Sequence, residues 1–121
     1  MVTDSGAGDR SEITPRTRLR MWKTVGEIPP DSAIGHQLTA MRELSRGDIQ
    51  PQEFATSWLA SRRRSLREGE RIGEQLSRRL DQIFYALDDY PIDPSLREPG
   101  DVTDAELIEK VNAVLADFGL G

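Results

Sequence analysis

The chain has 121 residues, 36% hydrophobic and 31% charged, with no cysteine and a single histidine. That length suits one domain, and the composition suits a modest core under a heavily solvated surface. Disulfides and thiolate metal sites are excluded, a lone His36 supplies too few ligands for zinc, and no apolar run approaches the roughly 18 residues of a membrane span.

Histidine-based acid–base catalysis would have to run through His36 alone; it reads as an ordinary surface or core-edge residue. The first 20 residues lack the apolar stretch of a secretory signal, so a cytoplasmic location is expected. Charge is unevenly placed. Residues 1–80 hold 14 Lys/Arg against 11 Asp/Glu, and residues 81–121 hold 2 against 10. The first part is net +3 and the second net −8. Asymmetry of this size bears on partners and steering rather than on fold.

Residues 1–20 are rich in Gly, Ser, Thr and charge, which predicts a disordered arm. The arm is taken as residues 1–30 and the folded domain as residues 31–121. Trp22, Val25 and Ile28 are the side chains able to pin the end of the arm onto the fold, and Pro29-Pro30 breaks regular structure after them. A first helix is expected over residues 31–45. Asp31 is its N-cap, Ile34, Leu38, Met41 and Leu44 form one face, and Arg46-Gly47-Asp48 is its stop.

The second helix opens with Pro51 at the first helical position. Glu53 lies in the dipole-favoured first turn, and Ile49 and Phe54 have the spacing of a hydrophobic staple. Phe54, Trp58, Leu59 and Leu66 make its apolar face, with Arg62 in the middle of it. Either the helix end is exposed there, or Arg62 is partly buried against a carboxylate of a neighbouring helix. The Arg62-Arg63-Arg64 run otherwise reads as a solvated face.

Gly69 and Gly73 loosen the next connection. The third helix has the clearest period, through Leu76, Leu80, Ile83, Phe84 and Leu87. Glu74 and Arg78 are spaced as a helix-stabilising pair. Asp88 and Asp89 fall in its last turn, where the macrodipole is already negative. Residues 90–102 contain Pro91, Pro94, Pro99 and Gly100 and cannot be one regular element. About 13 residues exceeds the ~2–8 usual between bundle helices, and long ordered loops are often functional. This one carries Asp93, Glu98 and Asp101, with Arg97 as its only base.

The fourth helix starts at Thr103-Asp104-Ala105-Glu106, a capping-box pattern. Leu107, Ile108, Val111, Val114, Leu115 and Phe118 line one face, and Gly119 is the stop. No alternating strand pattern competes. The expected fold is all-α, a four-helix antiparallel bundle with a flexible N-terminal arm.

No phosphate-binding loop, dinucleotide fingerprint or EF-hand loop occurs, so neither cofactor nor metal is expected, and no enzyme activity. Direct nucleic-acid binding is disfavoured because a net −8 surface repels phosphates. The acids that remain are Asp81, Asp88, Asp89, Asp93, Glu98, Asp101, Asp104, Glu106 and Glu109. Solubility explains many of them, and Asp104 and Glu106 are helix-start residues. Yet the acids bracket one long loop, and two sit at the unfavourable end of a helix. Concentrated negative charge fits a basic partner surface, such as an active site that holds RNA or DNA phosphates.

These residues resemble a known family. Residues 49–118, about 70 of the 121, are similar to the colicin-D-type immunity proteins among the bacterial self-protective colicin-like immunity domains. The likeness rests on Pro51-Gln52-Glu53-Phe54, Arg62-Arg63-Arg64, Ile83-Phe84, then Asp88, Tyr90 and Asp93, and a last helix from Leu107 to Phe118. The resemblance implies a four-helix bundle that blocks the catalytic domain of a tRNA-cleaving toxin. Its acids would occupy the basic site where the tRNA backbone lies. Asp88 corresponds to the third-helix acid and Asp93 to the loop acid. Asp89 adds charge beyond the family pattern, and Pro91 stands where relatives carry an acid. The N-terminal 20–30 residues have no counterpart.

The candidate toxin-binding residues are therefore Asp88, Asp89, Tyr90, Asp93, Glu98 and Asp101. The expected partner is a cognate toxin nuclease domain, met by a monomer, with no membrane involved. The alternative is a non-enzymatic helical adaptor whose apolar groove takes a partner helix.

Overall fold

The computed structural model describes residues 21–120. The expected arm over residues 1–20 lies outside them. Four helices form the fold: α1 (Ala33–Arg46), α2 (Pro51–Arg67), α3 (Glu74–Asp88) and α4 (Asp104–Asp117). Two two-residue strands, β1 (Met21–Trp22) and β2 (Arg71–Ile72), pair in parallel. A pair this short leaves no alternating pattern to read in the sequence. Residues 21–30, grouped above with the arm, are thus attached to the fold. Trp22, Val25 and Ile28 pack against the core, the anchoring that their apolar character suggests.

α1 begins two residues later than expected. Its N-cap is Ser32, whose Oγ accepts from the Gly35 N–H at 2.9 Å. The next two amides, of Ala33 and Ile34, donate to the Glu70 carboxylate at 3.0 and 2.9 Å. A helix N-terminus leaves such donors unpaired and favours negative charge. Here a side chain 36 and 37 residues away supplies both. Gly35 lets the Pro29-Pro30 backbone lie directly on this first turn. A Cβ at that position would collide with the carbonyl oxygens of Pro29 and Pro30. Gly35→Ala is expected to lose about 1–3 kcal/mol, the usual cost of overpacking, measurable as a lower urea midpoint. Gly47 ends α1 in the left-handed conformation, φ 81°, which glycine adopts without a Cβ penalty.

α2 follows after a short connection, of the kind that joins antiparallel neighbours. Gln50 N–H donates to Glu53 Oε1 across its first turn. Phe54, Ala55 and Trp58 are buried. Leu66 is not part of that face, being 69% exposed; Ser65 is the buried residue of the last turns. Arg62 takes the paired form. Its Nη2 donates to Asp81 Oδ1 of α3 at 2.9 Å, and its guanidinium lies 4.5 Å from the Phe84 ring centroid. The pair and the ring contact join α2 to α3 where an aliphatic residue would otherwise be needed. Arg64 is also committed. It meets Glu68 at 3.0 Å, the Asp31 carbonyl at 3.1 Å and His36 Nδ1 at 3.0 Å. His36 is exposed, as expected.

α1 and α2 share the most extensive packing, and α4 lies against α1 and α3. Met41, Phe54, Trp58, Ile83, Leu107, Val111, Val114 and Leu115 are the innermost side chains. α4 carries the expected capping box, with Thr103 N–H to Glu106 Oε1 at 2.9 Å and Glu106 N–H to Thr103 Oγ1 at 3.1 Å.

Candidate functional site

The loop between α3 and α4 is tied shut at its neck. Val102 N–H donates to the Asp89 carbonyl at 2.9 Å, so the last loop residue meets the first. Beside this tie, the Tyr90 hydroxyl donates to Asp104 Oδ1 at 2.6 Å. Tyr90 is 4% exposed and belongs to the core. Tyr90, expected among the partner-contacting residues, is thus buried, and its phenol holds the loop down. Arg97, the loop's only base, is aimed at the same Asp104 oxygen at 3.5 Å. Asp104 thus anchors the loop rather than adding to its display.

Of the remaining acids, Asp88, Asp89, Asp93 and Glu98 are exposed and Asp101 is half-buried. Asp88 ends α3, and Asp89 follows it with Asp89 N–H donating to the Ala86 carbonyl at 3.2 Å. No basic residue sits in that last turn, so the macrodipole and both carboxylates stack negative charge at one point. Asp93 caps a 3-10 turn over Pro94–Leu96. Its Oδ1 accepts from the Ser95 N–H at 3.0 Å and the Ser95 hydroxyl at 2.8 Å. These bonds, the backbone one first, hold the Asp93 carboxyl below its ordinary value, so it stays ionised into mild acid. Asp101 Oδ2 accepts from the Glu98 N–H at 2.7 Å, and Gly100 makes the turn between them with φ 93°.

Among the described residues, no ion pair engages Asp88, Asp89, Asp93, Glu98 or Asp101. Asp81, by contrast, is consumed by Arg62, and Glu106 by its capping box. Partners in the fold therefore set Asp81, Asp104 and Glu106 apart from Asp88, Asp89, Asp93, Glu98 and Asp101. Two apolar residues escaped notice. Ile92 and Leu96 are 39% and 68% exposed on the same loop. The signal was present, since large aliphatic side chains in a Pro-rich loop have no helical face to join.

Tyr90 also gives a test of the neck. Its phenol is raised above the ordinary 10.0, by burial first and then by the hydrogen bond to Asp104 and its charge. An acid raised in the fold ionises first in the unfolded chain. Its stabilisation is complete below pH 10.0 and is lost as pH rises beyond it. Tyr90→Phe is expected to cost about 1 kcal/mol at neutral pH and to flatten the alkaline fall in stability, both readable from urea melts at several pH values.

Comparison with known proteins decides the family. The family model described as bacterial self-protective colicin-like immunity matches residues 39–118. The chain belongs to that family. No curated protein and no solved structure matches it. The match takes in the second half of α1, all of α2 and α3, the acidic loop and α4. It begins ten residues before the resemblance seen in the sequence. Immunity proteins of this kind are inhibitors that bind a cognate toxin protein, not enzymes. No group of three or more His, Cys, Asp or Glu among the described residues could hold a metal ion. None of the described helices is long and apolar enough to cross a membrane.

Proposed function

We propose that this immunity protein neutralises a nuclease toxin of the colicin D type by placing the acids of the α3–α4 loop in the basic site that otherwise holds tRNA phosphates. Asp88, Asp89, Asp93, Glu98 and Asp101 do this work, with Tyr90 and Asp104 holding the loop. The carrying observation is that these five carboxylates have no ionic partner within the described fold while the loop's only base is turned away to Asp104. An unpaired cluster at the negative end of α3 costs a few tenths of a kcal/mol per residue. A basic partner removes that cost and gains steering.

The test uses the cognate toxin domain, sought first among the genes that flank this one. The immunity protein is expected to inhibit its nuclease activity in competition with the polynucleotide substrate, and less effectively as salt rises. Inhibition that more substrate leaves unchanged would place the binding surface away from the toxin's active site and sink the mimicry. An adaptor role, by contrast, would show as binding to an amphipathic helix and no inhibition.

A further inference from the structure

The acidic loop borders a groove that no sequence pattern revealed. Glu43 from the end of α1, Ile49 from the connection, Gln52, Glu53 and Thr56 from the start of α2, and Ile92 from the loop line it. Its floor is aliphatic. Ile49 packs against the core as the staple residue, and Ile92 is 39% exposed beside it. Its rim is acidic. Glu53 accepts from the Gln50 backbone N–H in the capping box of α2 and keeps its charge, and Glu43 has no ion pair among the described residues. The nearby Arg46 is held by Asp48 at 3.0 Å and does not neutralise it. Asp93 follows Ile92 directly, so the groove is continuous with the acidic loop.

We propose that this groove takes one long basic side chain, arginine or lysine, from the toxin and is the apolar anchor of the complex. The chemistry selects that occupant. Long cationic side chains lay their methylene stems on apolar surface and keep the charged head at a polar edge. Ile49 and Ile92 offer the surface, and Glu43 and Glu53 the edge. An acidic side chain would be repelled by the rim. A purely aliphatic one would leave the carboxylates desolvated and unpaired. The inference rests on the toxin-binding role proposed above and extends its surface from the loop to the α1–α2 corner. It also divides labour. Exposed rim charge governs association rate, whereas a desolvated contact governs dissociation.

The experiment measures binding kinetics with a catalytically inactive form of the cognate toxin domain. Ile92→Ala is expected to speed dissociation roughly tenfold, with association rate and salt slope unchanged, and Glu43→Gln to speed dissociation similarly with a modest loss of association rate and of salt slope. Ile92→Met keeps the apolar stem contact and should dissociate as the parent does, and urea melts should show all three variants folded. Unchanged dissociation in Ile92→Ala and Glu43→Gln, while Asp88→Lys/Asp93→Lys abolishes tight binding, overturns the groove and leaves the acidic-loop role standing. A slowed association instead of a faster dissociation in Ile92→Ala overturns the anchor as well. If neither the groove nor the loop variants alter binding, both the groove and the loop assignment fall.

Discussion

Reversing Asp88 and Asp93 together to lysine is expected to weaken the toxin complex by about a hundredfold or more, chiefly through a slower association rate. Electrostatic steering raises association rates roughly 10–1,000-fold and fades with salt, so the loss should shrink as ionic strength rises. Folding should be nearly untouched. A lysine at position 88 sits at the negative end of α3, where a cation is favoured. A lysine at position 93 removes the acceptor for Ser95, a local turn contact at full exposure. Asp93→Asn separates the two effects, because asparagine keeps the acceptor and drops the charge. Asp88→Asn/Asp93→Asn should therefore fall between parent and reversal in association rate. Surface plasmon resonance across a salt series checks the ordering, and survival of toxin-expressing cells checks its consequence. Undiminished protection by the double reversal would remove these acids from the interface.

Glu70→Ala is expected to be the most destabilising of the substitutions considered, lowering stability by about 3 kcal/mol or more. Glu70 is 7% exposed and accepts from the Ala33 and Ile34 amides, whose residues are 0% and 4% exposed. Its removal leaves two buried donors unpaired, each worth about 1–3 kcal/mol. It also strips a negative charge from a helix N-terminus. Ser32 still satisfies Gly35, so α1 should fray at its start rather than vanish. Since a domain of this kind has only about 5–15 kcal/mol in hand, the change should be plain in a urea melt. Glu70→Gln retains one acceptor oxygen and should recover part of the loss. A cost under about 1 kcal/mol for Glu70→Ala would show that water replaces the carboxylate without penalty.

Glu70 also shows where reasoning from the chain stops. It stands at the end of a Glu-Gly-Glu turn and looks like any solvated acid. Its role exists because the α2–α3 connection passes over the first turn of α1. The same applies to Arg62, whose place on the α2 face left both an exposed end and a buried pair open. The Asp81 carboxylate, 19 residues away, decided it. Leu66 failed for the related reason that a helical period states which residues share a face, not how far along the helix a neighbour covers it.

The four helices, the Pro51 start, the Thr103 cap and the glycine stops at Gly47 and Gly119 were determined by the sequence itself. Helix period, capping and left-handed glycine act over a few residues, and local order is enough to read them. The excess of acid in the last third was equally plain. Only the tertiary structure could sort that acid. It assigned Asp81 to Arg62 and Asp104 to Tyr90 and Arg97, whereas Glu106 was already legible as part of its own helix's capping box. It left Asp88, Asp89, Asp93, Glu98 and Asp101 without ionic partners among the described residues. A carboxylate's availability depends on which cation the fold brings within a few ångströms, and that distance is set by packing between helices far apart in the chain.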